Sequence, residues 1–310
     1  EIERIWRSSQ KTYFEAFPNI AFSISGGIDS RLVLAMAKPF WHKMNGYTYG
    51  LPSRGNSRAG GTFYRRTMLA DDRIVRSILE SVRFKEHTFF DVAKRAEVGS
   101  ELAGLLGKNT YGEHGQHLVA AYREKFSNGR WLNIRGNAIE LARIVHLGAG
   151  FDRRLSKVQS EFPDDVEERM KVLGYSSNLH GYGKRRMMYW ELRHGKWLGE
   201  INNELDAAFD TWIPASNRRI LDLMSSFAEE ELTEGLVIRD LIDRNAPELN
   251  WPPVNSSQTL YRDWRDLRFP ASRMLDTITT FDGNGNQQEI QPLGECRLSQ
   301  SQVGPGAGMQ

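Results

Sequence analysis

The stretch NIAFSISGGIDSRLVLAMA, residues Asn19 to Ala37, carries two apolar patterns separated by Ser25-Gly26-Gly27-Ile28-Asp29-Ser30. Ile20 to Ile24 is apolar apart from Ser23 and lacks a helical stripe, which reads as a short buried strand. The run RLVLAMAK is made of helix formers and stops before Pro39, whose ring disfavours helical geometry in the residue preceding it. A glycine pair at that junction lets backbone amides come close to an anion, because no side chain intervenes and unusual backbone angles cost little. The helix adds unpaired amides and the positive end of its dipole, so strand, loop and helix together form a phosphate cradle. Ser25 and Ser30 then donate hydroxyl hydrogen bonds to phosphate oxygens, while Asp29 suits a magnesium ion bridging to the phosphate. A tight turn before a capped helix needs only one glycine, so the pair favours the anion reading. The other familiar phosphate-loop spacing, GxxxxGK followed by Ser or Thr, is absent from the sequence.

Outward from this stretch, EIERIWRSSQKTYFEAF spaces Ile2, Ile5, Trp6, Ser9, Tyr13, Phe14 and Phe17 as an amphipathic helix ending at Pro18-Asn19. Strands are expected at GYTYG and HTFFDV, with a helix over ADDRIVRSILESV between them, opened by its acids. QHLVAAYREKF is a further helix closing on Asn128-Gly129, RWLNI a fourth strand, and AIELARIVHL another helix. Strand, helix and strand in repeated order define an α/β fold, a parallel sheet with flanking helices. Beyond Gly148 the sequence predicts a mainly helical half, through DDVEERMKVLG, RRMMYWELRHGKWLGEINNELDAAFDTW and NRRILDLMSSF. The segment from Asp282 to Gln310 is rich in Gly, Gln, Asn, Ser and Pro and reads as a disordered tail. The expected division is therefore a core over 1–148, a helical part over 149–281 and a tail over 282–310.

Composition removes several classes of function. The single cysteine, Cys296, excludes a disulfide framework, a Cys-rich zinc site and a CxxC redox pair within the chain. No secretory signal opens the sequence and no stretch approaches the roughly 20 apolar residues of a membrane span, so a cytoplasmic protein is expected, without membrane partners. With 41 basic and 39 acidic residues the net charge of +2 gives no electrostatic argument for nucleic acid. Arg54, Arg58, Arg65, Arg66, Arg73, Arg76, Arg83 and Lys85 do cluster, either as a solvated face or as a wall beside polyphosphate. His114 and His117 beside Glu113 lack the His-Glu-x-x-His order of zinc proteases, and DGNGN at Asp282 lacks the later residues of a calcium loop.

SISGGIDSRLVLA resembles the pyrophosphate loop of the ATP pyrophosphatases that cleave ATP between its α and β phosphates, a family that includes asparagine synthetase and β-lactam synthetase. The resemblance implies that Ser25, Gly26, Gly27, Asp29 and Ser30 hold the departing pyrophosphate with magnesium, and that the main chain at Tyr49 and Gly50 contacts adenine. HGQHLVAAYREKFSNGRWLNIRGNAIELAR is similar to the asparagine synthetase branch, whose second acidic motif is Ser-Gly-Glu-Gly-x-Asp-Glu-Leu. Glu140 matches the last acid of that motif, which makes Asp29 and Glu140 the implied metal ligands. Ile139 and Gly136 replace two other acids, and Arg135 falls on the motif's second residue, from where it could neutralise pyrophosphate as a fixed cation. Glu191 and Arg193 match a later Glu-x-Arg pair, IPASNRRILDLM a Pro-containing helix start, and PELNWPPVNS fits the divergent members of the branch.

The expected activity is an ATP-dependent carbon–nitrogen ligase that adenylates a small-molecule or peptide carboxylate and passes it to an amine, with Asp29, Glu140 and Arg135 as the catalytic residues and ATP and Mg2+ as the bound species. Asparagine synthetase begins with a glutaminase domain, which the residues before Phe14 are too few to hold, so the expectation is either an amine used directly or a chain that is the synthetase part of a longer protein or complex. A direct amine donor, a separate glutaminase or a precursor peptide is therefore expected, with a homodimer left open. Two rivals stay in view: an RNA-modifying member of the superfamily, and a nucleotide-binding scaffold whose catalysis was lost with the acids at 136 and 139.

Overall fold

A computed structural model describes residues 1–51, 62–111, 115–143, 163–175, 181–227, 231–232, 235–254, 278–281 and 287–290. The chain divides into two compact units, Glu1–Tyr261 and Arg262–Gln310. In the first, five parallel strands, β1 (Asn19–Ser23), β2 (Met44–Gly50), β3 (Glu86–Asp91), β4 (Trp131–Ile134) and β5 (Asp210–Trp212), form one sheet in the order β3-β2-β1-β4-β5. Helices flank it, as the alternating pattern predicts.

Both faces of the sheet are covered. On one, Ile20 and Phe22 of β1 and Leu132 and Ile134 of β4 meet helices α1 (Ile2–Ala16), α2 (Ile28–Met36) and α3 (Thr62–Leu79). On the other, Ala21 and Tyr47 meet α4 (Ser100–Asn109) and α5 (Gln116–Lys125), along with Leu205 and Phe209. A strand buried on both faces has no polar side to show, which is why NIAF reads as a continuous apolar run. Helix α2 is buried from Ser30 to Met36. Each of Leu32, Val33, Leu34 and Met36 contributes about 1.5–3 kcal/mol by leaving water.

Several elements depart from the sequence reading. α3 starts at Thr62, so Asp71 and Asp72 lie within the helix rather than at its opening. AIELARIVHL was expected to be helical, but among the described residues only Ile139–Ala142 turn, as a short 3-10 helix. Ala138 enters it in the left-handed region at φ 68° and Arg143 leaves it extended. α4 was not anticipated, and neither was β5, a three-residue strand inside the half expected to be helical. β5 pairs with β4 through Leu132–Asp210 and Ile134–Trp212, so the core sheet takes a strand from beyond the boundary expected at 148.

Helical segments do dominate that half: α6 (Pro163–Val172), α7 (Lys184–Met188), a π-helix over Tyr189–Leu198, α8 (Gly199–Leu205), α9 (Arg218–Ser225) and α10 (Leu236–Asn245). Asn217 caps α9, its side-chain oxygen accepting from the amides of Arg219 and Ile220. In the second unit, Ile278–Phe281 pairs antiparallel with Gln287–Ile290 as β6 and β7. This corrects the expected tail at those four residues: ITTF is β-branched and aromatic and supplies a partner that composition after Asp282 does not reveal. Cys296 and the rest of the tail lie outside the described residues.

His87 on β3 is half-buried. Its Nε2 lies 3.2 Å from Thr48 Oγ1, and it packs between the rings of Phe84 and Phe89. Gly46 leaves the room, since a Cβ there would stand 2.5 Å from His87 Nδ1. Burial, with the positive Arg76 nearby, pushes the imidazole down from 6.5 to about 4. A folded value below the unfolded one means that this contribution to stability is present above pH 6.5 and is lost as pH falls toward 4. Chemical denaturation from pH 7 to 4 should show a slope of up to ~1.4 kcal/mol per pH unit that His87→Asn lacks. Parallel profiles for the two proteins would disprove the assignment.

Candidate functional site

In the strand order, β1 is followed on one side by β2 and β3, while the chain returns on its other side with β4 and β5. The carboxyl ends of β1 and β4 therefore flank a topological switch point, where open parallel sheets leave a crevice for ligands. Ser25 to Ser30 leads from β1 into α2 at this point, and Arg135 to Arg143 follows β4. The two segments touch at Gly136, where a Cβ would lie 2.5 Å from Ser30 N and Cα and 2.7 Å from the Asp29 carbonyl carbon.

The first loop is held from within. Ser30 Oγ accepts from the Ser25 amide at 3.2 Å and lies 3.1 Å from Ser25 Oγ. The Gly27 amide donates to Ser25 Oγ at 3.3 Å. The Gly26 amide, expected to face phosphate, donates instead to Asp71 Oδ1 at 2.8 Å. Asp71 is buried on α3, which raises its carboxyl above the usual range despite that hydrogen bond. The anion-binding capacity left to the loop is the two hydroxyls and the α2 terminus, and Ser25, Gly27 and Asp29 are only half-buried.

Four charged or titratable side chains surround the α2 terminus. Arg143 Nη2 donates to Asp29 Oδ2, both side chains being 13–16% exposed. His194 Nε2, from the π-helix, lies 3.5 Å from Glu140 Oε2, and its ring meets Tyr189 edge-on at 5.2 Å. Burial pushes the Asp29 carboxyl up to about 6, with Arg143 pulling down and Glu140 pushing up. Burial also works to raise Glu140, but His194, its own backbone and Arg143 outweigh it and hold that carboxyl below its ordinary value. Asp29 Oδ1 and Glu140 Oε2 are both buried without a hydrogen-bond partner among the described residues. Two orphaned carboxylate oxygens that repel each other fit a hard divalent cation, whose other ligands would come from phosphate and water. Among the described residues no cluster of three or more His, Cys, Asp or Glu forms a cage of its own.

The other anticipated residues scatter. Tyr49 and Gly50 end β2; the Gly50 carbonyl accepts from the Val92 amide at 3.0 Å, and Tyr49 packs near Leu51 and Met68. Arg135 alternates with Ile134 and so falls on the sheet face of Asn133 and Tyr47, where its charge is felt by the Tyr47 hydroxyl. Of the basic cluster, Arg83 and Lys85 lie at the amino ends of the strands, where the Lys85 amide donates to the Met44 carbonyl, away from the loops. Arg76 pairs with Asp72 and stacks over Phe89. Arg54, Arg58, Glu113 and His114 lie outside the described residues. Of the later motif, Glu191 accepts from the Tyr175 hydroxyl and Arg193 stacks on Trp197, 3.1 Å from the ring centroid.

Asp71, Arg143 and His194 were missed by the sequence reading. Asp71 carries a legible signal, because it falls three, four and seven residues before Ile74, Val75 and Ile78 on the buried stripe of α3. An acid on an apolar stripe needs a partner. The chain matches no protein-family model and no curated protein.

Proposed function

We propose that this chain is an ATP-dependent ligase of the asparagine synthetase-like type, forming an amide with release of AMP and pyrophosphate. The observation that carries the reading is the convergence of Asp29 and Glu140 from opposite sides of the switch point, beside the Ser25–Ser30 loop. A carboxylate oxygen of the substrate attacks the α-phosphorus of ATP, the bond between the α-phosphorus and the bridging oxygen breaks, and pyrophosphate leaves. An amine then attacks the acyl carbon and AMP departs.

In this scheme the Ser25 and Ser30 hydroxyls and the α2 terminus stabilise charge developing on the leaving pyrophosphate. Asp29 and Glu140 would hold magnesium, which when bound neutralises phosphate charge. Holding acid and nucleotide side by side supplies a further large part of the acceleration.

Incubation with ATP, magnesium and a panel of carboxylates and amines should yield AMP and pyrophosphate; ADP as the sole product removes the reading. A nucleotide-binding protein without turnover is the second reading, favoured by the pairing of Asp29 with Arg143 and by the apolar Ile139. Tight ATP binding with no AMP under any substrate would select it.

A further inference from the structure

We propose that Arg143, rather than Arg135, is the side chain that receives phosphate charge at this site, exchanging Asp29 for phosphate when a polyphosphate binds with its divalent ion. The inference rests on the nucleotide reading above and adds to it a residue that the sequence motifs do not mark.

Three features of the geometry carry it. First, the Arg143–Asp29 pair is single-pronged: Nη2 meets Oδ2, while Arg143 Nε and Asp29 Oδ1 are both buried without a hydrogen-bond partner among the described residues. A guanidinium and a carboxylate with no other task engage as fork to fork, with two parallel hydrogen bonds. The observed arrangement leaves a donor on the arginine for an anion and an acceptor on the aspartate for a cation. Second, His194 is more than nine-tenths buried, and among the described residues neither ring nitrogen has a hydrogen-bond partner. It faces Glu140, whose Oε2 is also without one. Unused hydrogen-bonding capacity is thus concentrated around the α2 terminus, where the helix dipole already favours negative charge. Third, Arg143 is extended directly after the 139–142 turn, which brings its side chain back to Asp29, while strand alternation places Arg135 on the Tyr47 face.

The exchange has a consequence for binding order. With Arg143 on Asp29, magnesium alone meets a carboxylate already neutralised, whereas a polyphosphate draws the guanidinium away and frees Asp29 for the ion. Metal and polyphosphate should therefore bind synergistically.

The test is calorimetry with inorganic pyrophosphate on the full 310-residue chain, in EDTA and in magnesium. Wild type should bind in both, more tightly with magnesium, and bind magnesium alone hardly at all. Arg143→Gln should lose about tenfold or more of its affinity in EDTA. Arg143→Lys should fall between, since a point charge keeps the attraction but not the fork. Arg135→Gln should stay within about twofold of wild type. Asp29→Asn gives an independent sign: with the competing carboxylate charge gone, pyrophosphate in EDTA should bind more tightly than to wild type, provided the variant melts cooperatively. Wild-type affinity in Arg143→Gln, or weaker binding in a folded Asp29→Asn, overturns the exchange and leaves the nucleotide reading standing. Failure of the wild-type chain to bind either pyrophosphate or ATP overturns that reading, and the exchange with it.

Discussion

Gly136→Ala is expected to destabilise the protein by about 3 kcal/mol and to abolish polyphosphate binding in whatever fraction remains folded. The added methyl would stand 2.5 Å from Ser30 N and Cα and 2.7 Å from the Asp29 carbonyl carbon. All three are backbone atoms at the start of a buried helix, so no side chain can swing aside to make room. α2 is packed against the sheet and α10 and cannot retreat. The strain must instead separate the loop after β4 from the loop after β1. That separation parts Glu140 from Asp29, so binding and stability fall together. Urea denaturation and pyrophosphate calorimetry measure the two effects, and a Gly136→Ala protein with wild-type values in both would show that the loops do not meet as described. Gly136 was first read as a glutamate lost from an acidic motif; the contact supplies a positive reason for glycine, a close approach of two backbones.

That reversal illustrates how far the sequence could be read. The order of strands and helices from Ile2 to Ile134, α4 excepted, follows from local pattern, since apolar runs of four or five residues alternate with striped helices and Pro or Gly marks the joints. β5 was illegible because three residues carry no period, and its strand character comes from pairing with β4. The turn at 139–142 was misread because AIELARIVHL has good helix formers, whereas the left-handed backbone at Ala138 and the extended Arg143 are imposed by the neighbouring loop. At the site, Ser25, Gly27, Asp29, Ser30 and Glu140 lie about one helix terminus, an arrangement that the family resemblance, and not any local pattern, implied. Arg143 and His194 carry no such signal, since Arg143 meets Asp29 across 114 residues and His194 reaches Glu140 from a π-helix. Long-range charge pairing leaves no periodic trace, and a ten-residue π-helix turns its side chains through angles that a 3.6-residue pattern does not give.

Arg31→Met should be the most destabilising single change away from the ligand-facing groups, at about 4 kcal/mol. Arg31 is fully buried one residue after Ser30, and burial brings its guanidinium down to about 10, so it remains charged at neutral pH. Among the described residues its hydrogen-bond partners are backbone carbonyls: Nη1 donates to Leu249 at 3.0 Å and Pro252 at 2.6 Å, and Nη2 to Pro253 at 2.6 Å. Pro252 and Pro253 have no amide hydrogen to offer a helix or ladder, and Arg31 supplies the donors for their carbonyls instead. Methionine fills similar volume but leaves three acceptors without donors, each costing about 1–3 kcal/mol if it stays buried, less whatever the segment regains by moving out to water. Arg31→Lys should recover only part of the loss, because one ammonium cannot satisfy carbonyls lying in two directions. Leu249 to Pro253 should then become cleavable by protease in the methionine protein while the sheet still melts cooperatively. Since Ser30 and Arg31 are adjacent on α2, release of the segment also loosens the hydroxyl that ties the Ser25–Ser30 loop together. Polyphosphate affinity should therefore drop although Arg31 touches no ligand. A stability within 1 kcal/mol of wild type, on the order of one ordinary hydrogen bond, would mean that the buried cation does not anchor the loop.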